Sequence, residues 1–182
     1  MKMKRYYFIK VIGKFLHRGR ASQKEHINKW FRKQGIEIGE NCSIFSNIIS
    51  SEPYLISIGD NVTISNSVQL ITHDNSIIKA SNAKYTDIFG KINVGNNSFI
   101  GAHAIILPGV SLCDGTIVAA GSVVTKSIYS EYSIIGGNPA KIIGTWSDFL
   151  QINDKYGIDV SSMSNDKKRE YILGNPEYLK SR

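Results

Sequence analysis

From Ile38 onward an aliphatic residue returns at every sixth position, and few folds accept such a period. The leading residues are Ile38 and Ile44, then, after a slip of two residues, Ile58, Ile64 and Leu70. After an interruption over residues 76–91 they continue in the same phase as Val94, Ile100, Ile106, Leu112, Val118 and Val124. Hydrophobic residues make up 42% of the chain, so eleven aliphatic hits in eleven places have a chance probability on the order of one in ten thousand.

A period of six is compatible with strand alternation, but Gly, Asn or Asp recurs at a fixed place after the lead, so something turns the chain in every repeat. Three short strands making one triangular coil satisfy both observations. Each lead then points into the prism, and the residue two places earlier, usually small, fits beside it at the corner. Asn and Gly at the corners tolerate the left-handed backbone angles that a sharp turn demands. Stacked coils pair their backbones along the axis and bury one continuous core, which predicts a parallel β-helix.

Outside the repeat the texture differs. Residues 1–35 contain eleven Lys/Arg against Glu25 alone, a net charge of +10, whereas the remaining eleven basic and fourteen acidic residues give −3. Such an arm favours an anionic surface or partner. Its basic residues interleave with Phe8, Ile12, Phe15 and Leu16, a pattern suited to an amphipathic helix on a membrane surface or to a packing helix. The apolar run Tyr6–Ile12 is too short to span a bilayer and lacks the form of a signal peptide. A second helix is expected over Ser22–Gln34, with Ser22 as N-cap and Glu25 closing a capping box. Two short helices are expected at Trp146–Leu150 and Asp166–Leu173. Cys42 and Cys113 lack metal-ligand spacing and read as packing residues suited to a reducing cytoplasm.

The repeat, the run Gly121-Ser122-Val123-Val124-Thr125-Lys126 and the segment Gly136-Gly137-Asn138-Pro139-Ala140-Lys141-Ile142-Ile143 together resemble the hexapeptide-repeat acyltransferases. Within that family the likeness is greatest to the branch of galactoside, maltose and polysaccharide O-acetyltransferases, and it covers residues 36–144. The resemblance implies an all-β repeat, a left-handed parallel β-helix with a protruding loop at about 76–91 and short flanking helices at both ends. The domain reading is a basic helical arm at 1–35, the β-helix at 36–144 and a helical extension at 145–182. The resemblance also implies homotrimers with sites at subunit interfaces.

Acyl transfer from a thioester to a hydroxyl requires a base, donors for an oxyanion and a channel for the acyl donor. Of four histidines, His17 and His26 fall in the arm and read as surface residues. His73 stands where the repeat breaks and the excursion begins, and by resemblance it is the base for the acceptor hydroxyl. Asp74 either orients it or caps the turn. His103 shares its hexad position and reads as a groove or interface residue. The resemblance places the acetyl-CoA arm near Ala102 and Ala120, where small side chains permit close approach, and its phosphates near Lys126 and Lys141, with Thr125 adding a hydroxyl.

These readings converge on an acetyl-CoA-dependent O-acetyltransferase acting on a sugar hydroxyl, in surface polysaccharide or glycan biosynthesis, with no metal expected. The alternatives are an N-acetyltransferase of an amino sugar, a xenobiotic (antibiotic) acetyltransferase and a non-catalytic β-helix scaffold. Zinc chemistry of the γ-carbonic-anhydrase kind is disfavoured, because Ser98 and Pro108 stand five residues either side of His103 where that family pairs histidines. The expected setting is cytoplasmic, with peripheral membrane contact through the arm and no nucleic-acid partner.

Overall fold

The computed structural model describes residues 2–16 and 19–181. His17 lies outside them. The chain divides into two compact units, Met1–Ile143 and Gly144–Arg182.

In the first unit the six-residue period becomes the three faces of a prism. One face stacks β1 (Glu37–Ile38), β3 (Ile56–Ile58), β8 (Ile92–Val94) and β11 (Ser111–Leu112). The second runs through β2 (Ser43–Ile44), β4 (Thr63–Ile64), β9 (Phe99–Ile100), β12 (Ile117–Val118) and β14 (Ser133–Gly137) to β15 (Ala140–Thr145). The third contains β5 (Gln69–Leu70), β10 (Ile105–Ile106) and β13 (Val123–Val124). Pairing from β1 to β11, β2 to β14 and β5 to β13 is parallel.

Register follows the period: Ile44, Ile64, Ile100 and Val118 align in one ladder, and Leu70, Ile106 and Val124 in another. All eleven leads are buried. So is the row two places earlier, including Cys42, Val62, Ser98, Ala104, Thr116 and Ser122. Burying each large aliphatic side chain contributes roughly 1.5–3 kcal/mol, and because the leads touch along the axis, the core is one continuous column.

The corners explain the recurring Asn. Asn41, Asn61 and Asn97 adopt φ of 57°, 57° and 55°, and Gly115 continues them at 67°. Beside them a side-chain ladder serves backbone amides: Glu40 N donates to Asp60 Oδ1 at 2.7 Å, Asp60 N to Asn96 Oδ1 at 2.8 Å, and Asn96 N to Asp114 Oδ1 at 2.8 Å. The turns are thereby satisfied without strand partners.

Helices α1 (Lys2–Leu16) and α2 (Arg20–Arg32) close the N-terminal end of the prism. Tyr6 Oη donates to the Phe45 carbonyl, Asn28 Nδ2 to that of Cys42, and Arg32 to those of Ile38 and Gly39. The expected capping box is corrected here. α2 begins earlier, with Gly19 as N-cap; Ser22 Oγ donates to the Gly19 carbonyl at 3.0 Å, and Glu25 is drawn to Arg32 at 2.7 Å. The guanidinium that closes the coil competes successfully for the carboxylate. His26, expected at the surface, is half-buried, with its ring against Gly13.

The excursion contains one helical turn, α3 (Ile77–Ala80), and its two ends pair as antiparallel β6 (His73–Asp74) and β7 (Ile88–Phe89). In the second unit, α4 (Trp146–Asn153) begins with a complete capping box between Thr145 and Asp148. α5 (Asn165–Gly174) is N-capped by Ser164. Among the described residues no helix is long and apolar enough to cross a membrane.

Candidate active site

Where the chain leaves the coil, Ser50, Glu52 and Thr72 close a ring of hydrogen bonds to which His73 is attached. Glu52 N donates to Ser50 Oγ at 3.0 Å, Ser50 Oγ lies 2.7 Å from Thr72 Oγ1, and Thr72 Oγ1 donates to Glu52 Oε2 at 2.9 Å. Because the Thr72 proton is committed to Glu52, Ser50 is the donor in the contact between the two hydroxyls. The same Glu52 oxygen lies 2.8 Å from His73 Nδ1.

Partial burial opposes ionisation of Glu52, but the hydrogen bonds from Thr72 and His73 and the nearby imidazole outweigh it and hold the carboxyl below the usual carboxylate range. An ionised carboxylate is acceptor only, so Nδ1 carries the proton, and whenever the ring is neutral Nε2 keeps its lone pair. This tautomer can remove a proton from a hydroxyl. The Glu52 side chain is 14% exposed and that of His73 37%, so the carboxylate is sheltered while the ring stays open to a reactant. The β6–β7 ladder sets His73 opposite Phe89, whose ring centroid is 6.2 Å away.

The far end of the excursion is fixed by sterics. Gly90 N donates to the Thr72 carbonyl at 2.9 Å. A Cβ at Gly90 would overlap the backbone amide of Gly109 and stand 2.5 Å from the Pro108 carbonyl carbon. Only glycine fits where the loop rejoins the coil.

Asp74 follows His73 in β6, but its carboxylate accepts from Ser76 N at 2.8 Å and caps the loop, and these hydrogen bonds hold it below its ordinary range. The residue that orients the imidazole is Glu52, which the sequence reading did not single out. Its available signal was the two-residue slip between Ile44 and Ile58, since the extra length falls in the segment that contains it.

Ala102 and Ala120 occupy one corner on successive coils: Gly121 N donates to the Ala102 carbonyl at 2.8 Å, and a Cβ on Gly101 would stand 2.5 Å from Ala120 N. A Cβ at Gly121 would meet nothing within 4 Å, so this backbone is open to a neighbour. His103 is exposed at the same corner, with φ of 61°. Thr125, Lys126 and Lys141 are exposed. Within one chain His73 and the alanine corner flank opposite edges of the face formed by β5, β10 and β13. Thr125 and Lys126 share the His73 edge, two strands away, which is about 10 Å along the axis. Both cysteines are free; Cys42 is buried, with its thiol on the Gly59 carbonyl at 3.0 Å, and burial pushes its pKa up. Among the described residues no group of three or more His, Cys, Asp or Glu is arranged to hold a metal ion.

A prism of hexad coils interrupted by one loop, with a histidine hydrogen-bonded to a carboxylate at the interruption, defines a hexapeptide-repeat protein. The family model described as "Hexapeptide repeat of succinyl-transferase" matches residues 91–126. Protein CapG of Staphylococcus aureus is 47% identical over 117 residues, covering 62% of this chain and 67% of CapG. Galactoside O-acetyltransferase of Escherichia coli K12 is 33% identical over 123 residues, 66% of this chain and 56% of that enzyme. A hexapeptide-repeat acetyltransferase of Vibrio cholerae, solved in complex with acetyl coenzyme A, superposes with a TM-score of 0.53 at 28% identity, covering 62% of this chain and 61% of that one. The chain belongs to the hexapeptide-repeat acyltransferase family, whose fold is the left-handed parallel β-helix.

Proposed function

We propose that this chain is an acetyl-CoA-dependent O-acetyltransferase that acetylates a sugar hydroxyl in surface polysaccharide or glycan biosynthesis, in the cytoplasm. The observation that carries the reading is the His73–Glu52 pair, which leaves Nε2 as a base at the open end of the coil. The open backbone at Ala102, Ala120 and Gly121 suits an extended thioester arm, and Lys126, Lys141 and Thr125 suit its phosphates.

Acetyl-CoA would supply an activated acetyl group as its thioester. His73 Nε2 takes the proton of the acceptor hydroxyl as its oxygen attacks the acetyl carbon, and returns it to the departing sulfur. Glu52 stabilises the imidazolium formed between these two transfers. A backbone N–H at the Ala102 corner is the proposed oxyanion donor, because alanine offers no side-chain hydroxyl. Base and thioester channel lie at opposite edges of one face, so we propose a homotrimer in which the cleft between neighbouring copies holds both. That E. coli relative is a galactoside O-acetyltransferase, which supports a sugar acceptor.

Calorimetry with acetyl-CoA tests the reading without requiring the acceptor, and thiol release with a sugar panel then tests turnover. Saturable binding near one site per chain is expected. His73→Ala should preserve that binding and lower kcat by about 10²-fold or more. Absence of binding to an intact oligomer would leave a scaffold, and near-normal turnover by His73→Ala would remove it as the base.

A further inference from the structure

Helix α1 packs on the fold along the side that carries Tyr6 and Gly13. Tyr6 is buried, with its hydroxyl on the Phe45 carbonyl and its ring packed near those of Trp30 and Phe31. Gly13 is also buried, and a Cβ there would stand 3.1 Å from the His26 ring. Seven residues apart, Tyr6 and Gly13 fall on the same helical face.

The other side displays Tyr7, Phe8, Val11, Phe15 and Leu16, all exposed, from 51% at Val11 to 86% at Phe15. At 3.6 residues per turn, Tyr7, Val11, Phe15 and Phe8 lie within an arc of roughly 100°. The four side chains of this arc together present on the order of 400 Å² of largely apolar surface, a contiguous patch rather than scattered exposure. Exposed Lys14 and half-buried Lys10 lie to one side of this stripe. The sequence of α1 contains five basic residues and no acidic one, and the lone acidic residue of the arm, Glu25, is paired with Arg32.

We propose that α1 docks the protein on an anionic lipid bilayer. The aromatic and aliphatic stripe enters the boundary between headgroups and acyl chains, while the lysines meet the anionic headgroups. Charge selects this occupant over a second copy of the helix, since apposing two such stripes would bring two clusters of five positive charges together. The docking does not depend on the acyl-transfer reading.

The test is co-sedimentation of the full chain with vesicles of phosphatidylcholine, alone or with about 30% phosphatidylglycerol. Sedimentation with the anionic vesicles at low salt is expected, with release as salt screens the charges and retention in the supernatant with phosphatidylcholine alone. Phe8→Ser/Phe15→Ser and Lys10→Glu/Lys14→Glu should each weaken vesicle affinity by about 10-fold or more, at unchanged melting temperature and elution volume. Two results overturn the proposal. One is an intact chain that stays in the supernatant with anionic vesicles. The other is a Phe8→Ser/Phe15→Ser protein that sediments normally but elutes at a changed volume, which would make a second copy the occupant.

Discussion

Replacing Glu52 tests the chemical core of the site in graded steps. In Glu52→Gln the carbonyl oxygen of the amide can take the place of Oε2, where Thr72 and His73 both donate, so the Nδ1–H tautomer survives while the charge is lost. A hydrogen bond to an ionised acceptor is about twice as strong as one to a neutral acceptor. The loss of imidazolium stabilisation should therefore lower kcat on the order of 10-fold. Glu52→Ala removes the acceptor altogether, leaving Thr72 and His73 without their shared partner, and its kcat should approach that of His73→Ala, about 10²-fold down or more. The double variant should be no slower than His73→Ala alone, because the two residues act as a unit. Thiol release under saturating acetyl-CoA and acceptor gives kcat, and long-range nitrogen–proton NMR of labelled histidine reports the tautomer without any acceptor. A Glu52→Ala enzyme within about threefold of normal kcat would refute the reasoning, as would a wild-type His73 protonated at Nε2 and bare at Nδ1.

Gly90→Ala should displace the returning end of the excursion, lowering activity severely while the coil still melts cooperatively; equal activity in the thiol assay would show that the backbone of Gly109 yields. Ile100→Ala empties a fully buried place in the central ladder and should cost about 2–5 kcal/mol in urea unfolding, with acetyl-CoA affinity unchanged in whatever fraction stays folded. Acidification should destabilise the protein through Glu52, Asp74, Asp148 and Asp159, whose pKa values are all depressed in the fold. Their stabilising contribution is fully present above the ordinary carboxylate range and is lost as pH falls through the lower folded values, so the urea midpoint should be flat near neutrality and decline on the acid side.

The β-helix was legible because each repeat places the same chemistry at the same point of the prism: Ile64 and Ile100 are chemically interchangeable, and so are Asn61 and Asn97 at their corner. His73 was legible because it stands where that regularity stops. Glu52 was not, since its partnership spans 21 residues and depends on where a two-residue slip puts the chain, a matter of packing rather than pattern. The start of α2 was misplaced for a related reason: Ser22 and Glu25 have capping-box spacing, but Arg32 is fixed by the carbonyls of Ile38 and Gly39 and claims the carboxylate. Local spacing lost to a contact made across the fold.

Across the excursion β10 stacks on β5 with Leu70 against Ile106, although ordinary neighbours such as Ile106 and Val124 are eighteen residues apart and this pair thirty-six. The excess is one full winding. Removing the eighteen residues His73–Gly90 would join Thr72 to Lys91 and set Val94 six places after Leu70, continuing the hexads without a break. His73 and its loop are therefore an unwound turn, and the scaffold would close without them. Selection can redraw the loop while the column of aliphatic side chains goes on specifying the same prism.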